Sequence, residues 1–276
     1  MNGTPITAII PCKDELPNIE ACIESLRPIV DEIIVADSLS TDGTLELVES
    51  CSDCRVIQRE YINPSDFKNW AIPQATHEWI LLLDADERVS PELAAEIAAL
   101  KEATLAQTTV SAYWIGRQNY FLGRRVRFSG WQNDGVVRLF RRECRYEVVQ
   151  VHEEIDMSGI EVGRLKHCLI HHTYRSFAHY FEKMQRYTTW GAQDLYARGR
   201  RGKMSDLVLR PPFRFFRHYV LKLGFLDGLT GYLLATLSGI SVFLKYVKLW
   251  EISLNRDRES EASNTESTTL PRQKAA

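Results

Sequence analysis

Along the first hundred residues the hydrophobic pattern alternates between two periods. Residues 7–10 form a short apolar run closed by Pro11, after which Leu16, Ile19, Ile23 and Leu26 recur at helical spacing. Residues 32–36 and 55–58 are again short β-branched runs, with a helical stretch at 44–50 between them. Strands alternating with helices predict βαβ units and a parallel sheet. Residues 79–83 are uninterrupted apolar positions, as expected of a central strand covered on both faces. Ser65 is placed to cap a helix running toward Ala75, and Ser90-Pro91 supplies a cap and an N1 proline for a helix carrying Leu93, Ile97 and Leu100.

Beyond Val110 the pattern turns to strands at 111–115, 120–122, 136–140 and 146–149, with a further strand-like run at 168–170. The expected class is α/β: a Rossmann-like, mostly parallel central sheet followed by a smaller mixed sheet. Residues 179–198 predict an amphipathic helix, residues 198–203 a basic, glycine-containing break, and residues 211–250 a region rich in Phe, Leu, Tyr and Gly. The polar stretch 255–276 predicts a disordered tail. The expected organisation is a catalytic domain over 1–200, divided near residue 110, a membrane-associating helical region over 201–254, and the tail.

Charge sharpens this picture because it is unevenly placed. Residues 1–110 carry 7 Lys+Arg against 20 Asp+Glu, whereas residues 111–250 carry 23 against 11. An acidic first half argues against nucleic acid as a partner, while the basic second half suits phosphates or anionic lipid headgroups. The start has no basic segment followed by a long apolar run, so no secretory signal is expected. Six cysteines spread over 276 residues suit reduced thiols in the cytoplasm. Cys51 and Cys54 have redox or half-zinc spacing, but no second pair completes a metal site.

Candidate chemistry concentrates at strand ends. L-L-L-D-A-D-E puts Asp84, Asp86 and Glu87 where a buried strand stops, and open α/β sheets bind ligands beyond the carboxyl ends of their strands. Three anions so close repel one another unless a cation intervenes, and Mg²⁺ or Mn²⁺ prefers carboxylate and phosphate oxygens. An isolated D-x-D can equally be a solvated acidic turn. Here, however, Asp37 ends a second strand in A-D-S-L-S-T-D-G-T, and Asp14-Glu15 follows a first. His171-His172 returns late, and His172 is a candidate ligand beside Asp86, with an ordinary core or surface histidine as the alternative. Arg138, Arg141 and Arg142 could meet a diphosphate or an anionic acceptor, or merely decorate a strand.

The ordered set I-I-P-C-K-D-E, A-D-S-L-S-T-D-G-T, K-N-W-A and L-D-A-D-E-R resembles family-two glycosyltransferases of GT-A fold. Within that family R-L-F-R-R, V-H-E and F-L-D-G-L-T-G-Y resemble the lipopolysaccharide core β-1,4-glucosyltransferase group. The resemblance implies an inverting, metal-dependent transfer of a hexose, such as glucose from UDP-glucose, to a lipid-linked or inner-core sugar acceptor. It implies that Pro11, Asp14, Glu15, Lys68 and Ala85 line the nucleotide-sugar pocket. Asp37 would read the base, Asp84 would contact the ribose, and Asp86 would bind the metal. Inversion needs a base opposite the leaving group. Glu153 is the candidate and Asp134 its rival. Other acceptors, such as a polyprenyl phosphate, a capsular glycan or a protein, and a non-catalytic nucleotide-sugar-binding scaffold remain alternatives.

Residues 228–244 carry no charge but fall short of the roughly 20 residues a spanning helix needs. Aromatics mixed with Arg and Lys at 213–232 instead suggest a helical hairpin in the headgroup layer. The expectation is therefore peripheral, monotopic attachment at the cytoplasmic, inner-leaflet face of the inner membrane. Ordinary core packing is the alternative.

Overall fold

The computed structural model describes residues 3–147 and 154–268, with side chains through Asn255. In chain order the elements are β1 (Ile6–Cys12), α1 (Leu16–Leu26), β2 (Glu32–Asp37), α2 (Thr44–Glu49), β3 (Cys54–Gln58), α3 (Pro64–Ala71), β4 (Trp79–Leu82), β5 (Glu87–Val89) and α4 (Pro91–Ala103). There follow β6 (Val110–Phe121), β7 (Arg124–Arg125), β8 (Gly135–Arg141), β9 (Glu161–Tyr174), α5 (Phe177–Ala197), α6 (Met204–Phe216) and α7 (Gly228–Thr268). Contacts divide the chain into two units: Met1–Tyr120 with Asn133–Thr173, and Phe121–Gln132 with Tyr174–Ala276. The long helix α5, grouped with the catalytic domain in the sequence reading, falls in the second unit, with its buried face packed along α7.

The first unit is α/β, as the alternating periods predict. Its sheet runs β3-β2-β1-β4-β8-β6-β9-β5, parallel through β3, β2, β1 and β4. From β4 onward the β4–β8, β6–β8 and β5–β9 pairings are antiparallel. The smaller strand set thus continues the parallel half edge to edge rather than forming a second layer. Parallel β1, β2 and β4 place their carboxyl ends on one edge, with Cys12 opposite Asp37 and Ile9 opposite Leu82. The strands are apolar throughout because both faces are covered: Ile6, Ala8 and Leu81 pack toward α1 and α4, and Ile9, Ile80 and Leu82 toward α3. The strands expected at 111–115 and 120–122 are one continuous β6. Of the run 146–149, Tyr146 makes a bridge to Ile155, and the remainder past Glu147 lies outside the described residues.

One of the two expected caps forms and the other is displaced. Ser90 Oγ accepts from the Leu93 amide at 3.2 Å, and Asn63, rather than Ser65, caps α3 through the Asp66 amide at 2.9 Å. Pro64 occupies the first helical position, which moves the start of α3 back by two residues from that expected.

In the second unit Tyr180, Met184, Leu234 and Leu237 bury one face of α5 against α7. Lys248 Nζ ties the two helices further, donating to the Gln185 carbonyl and to Thr188 and Thr189 hydroxyls at 2.7–2.9 Å. The helix α7 runs past Asn255 to Thr268, where the sequence reading expects a disordered tail. No glycine or proline occurs between Gly239 and Pro271, so nothing in the backbone chemistry stops a helix already nucleated by packing.

Candidate functional site

The site is built at the carboxyl edge of β1, β2 and β4 and closed by the antiparallel strands. Asp37 ends β2 only 1% exposed. Its carboxylate accepts from the Ser40 amide and from Gln58 Nε2, each at 3.1 Å, and Cys12 Sγ lies 3.9 Å away. Burial, and after it the Asp37 charge, drive the Cys12 thiol far upward, so it stays protonated. The neighbouring Ser38 hydroxyl is buried without a hydrogen-bond partner among the described residues. Buried polar atoms are normally satisfied, so the Ser38 hydroxyl is an exception beside Asp37.

Asp14 adopts φ 53°, a left-handed conformation that Asp tolerates better than most residues. Its carboxylate accepts from the Thr41 amide at 2.8 Å, and its own amide donates to Ser40 Oγ at 2.9 Å. The Glu15 amide donates to Thr44 Oγ1, and Glu15 Oε2 accepts from Asn18 at 2.7 Å. Asp14 and Glu15 therefore hold the loops after β1 and β2 together. Pro11 stands in β1 opposite Ala36.

Asp84 follows β4 and sits between two cations. Arg138 bonds its Oδ2, and Lys68 Nζ lies 3.5 Å from Oδ1. Lys68 is itself buried and lies over the Tyr146 ring at 5.0 Å. Burial alone would push the Asp84 carboxyl up, but Arg138 and Lys68 together hold it far below the usual carboxylate range. Arg138 also donates to Glu87 Oε1 at 2.9 Å, and Arg117 approaches the same oxygen at 3.4 Å. Glu87 is 0% exposed and Arg138 3% exposed, so this is a buried charge network. The mutual repulsion of the acidic run is thus relieved largely by protein cations. Arg138 is spent on Asp84 and Glu87 rather than presented to a diphosphate, as the sequence reading allowed. Arg141 bonds Glu78 and stacks over Trp79 at 5.0 Å, while Arg142 donates to the Ala75 carbonyl.

The turn after Asp84 is pinned by Arg88, which donates to the carbonyls of Ala85, Glu87 and Asn18 at 2.6–2.7 Å. Ala85 is buried, and Asp86 turns toward β9. The register Glu87↔His171 puts the His171 ring, not the His172 ring, at Asp86, with Nε2 3.7 Å from Oδ2. His172 lends its backbone amide to the Asp86 carbonyl at 2.9 Å, while its ring packs on Tyr120 at 5.3 Å. Burial, then Arg88 and His171, hold the His172 imidazole below its ordinary pKa. His171 was available to sequence reasoning only as one of an adjacent pair. Alternating strand faces separate the two rings.

Behind His171 lies a polar chain. His171 Nδ1 meets Asn119 Oδ1 at 2.6 Å, Asn119 Nδ2 donates to Asp134 Oδ2 at 2.8 Å, and Arg117 grips both Asp134 oxygens at 2.9 and 3.0 Å. Since Asn119 must turn its amide nitrogen to Asp134, its oxygen faces His171, which places a proton on Nδ1 and leaves Nε2 a bare acceptor in neutral imidazole. Burial would raise the Asp134 carboxyl, but the bonds from Arg117 and Asn119 prevail and lower it. A carboxylate so occupied is a poor proton acceptor. Glu153, the other candidate base, lies outside the described residues.

Among the described residues no three His, Cys, Asp or Glu side chains form a ready-made metal cage. Asp86 with the Nε2 of His171 nevertheless supplies one oxygen and one nitrogen donor. Mg²⁺ and Mn²⁺ sites that take one or two protein ligands and complete their shell with substrate phosphates have such a donor set.

The sequence profile described as Glycosyl transferase family 2 matches residues 7–157, and the chain belongs to that family. It is therefore a transferase, with the mixed α/β fold of the GT-A type. A "Lipopolysaccharide core biosynthesis glycosyltransferase LpsC" of Rhizobium meliloti (strain 1021) is 29% identical over 90% of this chain and 92% of its own. An "Uncharacterized glycosyltransferase" of Rickettsia bellii (strain RML369-C) is 27% identical over 90% of this chain and 87% of its own. Among solved structures, S. aureus TarS 1-349 in complex with UDP-GlcNAc covers 92% of both chains at 14% identity and a TM-score of 0.47, a likeness too loose to bear on chemistry.

Proposed function

We propose that this chain transfers a hexose, glucose from UDP-glucose, with inversion to a lipopolysaccharide inner-core or other lipid-linked sugar at the cytoplasmic face of the membrane. The carrying observation is the Asp86–His171 pair, whose imidazole tautomer is fixed by Asn119 and Asp134 beside the charge-compensated Asp84. The name of the Rhizobium relative, a lipopolysaccharide core biosynthesis glycosyltransferase, supports an acceptor in the lipopolysaccharide core.

In this reading Asp37 and Ser38 receive the base, and Asp84 and Lys68 the ribose and first phosphate. Asp86 and His171 would hold Mg²⁺ or Mn²⁺. When bound, that ion stabilises the negative charge that develops on the departing diphosphate. Asn119 orients the His171 ring through Nδ1, so Nε2 is the ring nitrogen that would be offered to a bound ion. Arg138 and Arg117 pair with Glu87, and Arg138 with Lys68 keeps Asp84 ionised without drawing on the ligand's charge. Asp134 positions Asn119 and Arg117. The acceptor's proton goes to Glu153.

Calorimetry of UDP with and without Mn²⁺, paired with transfer from a small panel of UDP-sugars, tests the reading. Asp86→Asn is expected to lose the Mn²⁺ dependence of UDP binding and at least a thousand-fold in turnover, with an unchanged melting curve; retained turnover would remove the metal from the scheme. Glu153→Gln with a normal single-turnover rate would take the base assignment away from it. UDP binding with no transfer from any donor to any acceptor would favour a scaffold over an enzyme.

A further inference from the structure

The helix α6 is amphipathic in the wrong sense for a soluble protein. A surface helix turns its apolar stripe to the core and its charges to water. Here Met204, Val208, Leu209, Phe213 and Phe216, spaced for one helical face, are exposed, with Met204 at 75% and Phe213 at 61%. On the opposite face Asp206 is buried and bonded to the exposed Arg210, and Arg214 donates to Ser238 of α7 at 2.9 Å. The exposed apolar surface continues through Leu221 and Leu226 in the turn between α6 and α7, and along Leu229 and Tyr232 of α7. Apolar side chains exposed in this number mark a surface that something other than water covers.

Beside this face the end of α5 and the start of α6 enclose an open cleft of about 490 Å³, lined by Arg200, Arg201, Lys203 and Arg210, together with Ser205 and the paired Asp206. The loop is held in shape. Gly199 takes φ 76°, Arg201 stacks over Tyr196 at 4.2 Å, and a side chain at Gly202 would collide with the Trp250 backbone. Four cations around one ordered cleft at the margin of an apolar face are complementary to a phosphate group carried on a hydrocarbon.

We infer that α6, the turn after it and the start of α7 form a monotopic docking face for an anionic phospholipid bilayer, lying in the plane of the headgroups, with the cleft at 199–210 seating lipid phosphates. The inference rests on the membrane-facing part of the proposed function and gives it a surface. Length and composition would also let Gly224–Asn255 cross a bilayer. Against a crossing, α5 packs along α7 and carries exposed Glu182, Arg186 and Asp194, and Lys248 is bonded between the two helices. A spanning α7 would take those charges into hydrocarbon or strip α5 away. An in-plane helix pair leaves them in water.

The test is co-sedimentation of the full chain with vesicles of phosphatidylcholine alone and of phosphatidylcholine with phosphatidylglycerol. Binding is expected to the anionic vesicles, to weaken with salt, and to be reversed by alkaline carbonate. Arg200→Ala, Arg201→Ala and Lys203→Ala together are expected to weaken it about a hundred-fold, at roughly a factor of five for each basic residue near the surface. Phe213→Ser with Phe216→Ser is expected to weaken binding to both vesicle types. Equal binding to the two vesicle types, indifference to both sets of substitutions, or resistance to carbonate would overturn the inference. So would protection by inorganic phosphate, lost in the triple variant, without vesicle binding, which would make the cleft a site for soluble anions. UDP binding, measured on the same variants, should not change. Its loss in the wild type with vesicle binding intact would count against the transferase reading and not against the docking face.

Discussion

Arg138 and Phe213 show how differently the two units handle their side chains. In the sheet unit a guanidinium only 3% exposed lies between Asp84 and Glu87, while in the helical unit a phenyl ring is 61% exposed. Charge inside survives because Asp84, Glu87 and Arg138 meet opposite charges and Asp37 is held by the Ser40 amide and Gln58, since an unpartnered buried ion costs far more than its pair returns. Hydrocarbon outside is tolerated where something other than water is there to meet it. The first arrangement suits a small charged ligand, and the second a broad apolar and anionic surface.

The contrast can be broken most severely at Arg138. Arg138→Met leaves Asp84 and Glu87 facing each other and is expected to cost about 3–5 kcal/mol in urea unfolding, with partial recovery when Glu87→Gln is added. A loss below about 1 kcal/mol would mean that water, not the guanidinium, neutralises the strand end.

A milder probe is Glu32, which joins β2 to the loop before β4 through the Thr7 hydroxyl, the Thr76 amide and Arg55. Partial burial works against its ionisation, but these donors prevail and bring the carboxyl down to about 2 from an ordinary 4.5. A depressed folded-state value means that the stabilisation is whole above about pH 4.5 and disappears as pH falls toward 2. Glu32→Gln should therefore lose about 1–2 kcal/mol at pH 7 and show a shallower acid limb; an unchanged acid limb would exclude this carboxylate from it. Ser90→Ala should cost about 1 kcal/mol by removing the cap of α4. At the small end, Phe213→Ser with Phe216→Ser should shift stability by no more than about 0.5 kcal/mol per residue, because neither ring is buried. A larger loss would show that the helical unit hides these rings after all.

The parallel half was legible because its signal is local: apolar runs, caps and a proline each report on their own neighbourhood, and strand ends on one edge follow from parallel topology. The polar chain from Arg117 through Asp134 and Asn119 to His171 was not legible. It depends on the antiparallel strands β6, β8 and β9, whose contacts link positions 15 to 52 residues apart. His171 and His172 are equivalent in sequence, and only the β5–β9 register distinguishes them. Arg138 looked like a strand-surface residue because its position in the sheet, between β4 and β6, cannot be read from its neighbours. A cation alone among apolar residues in V-V-R-L-F was the available hint. The start of α3 was missed by two residues because Asn63 and Ser65 are both good caps and Pro64 decides between them.

Asp14 and Asp42 stitch the loops after the first two strands to each other, through the Thr41 amide from one side and the Leu16 amide from the other. Two loops fastened in this way have little freedom left to surrender when a guest arrives, so the rim they form resembles a moulded seat more than a closing jaw. A nucleotide reaching it should dock at a rate set by diffusion and charge, without a slow rearrangement of the first fifty residues.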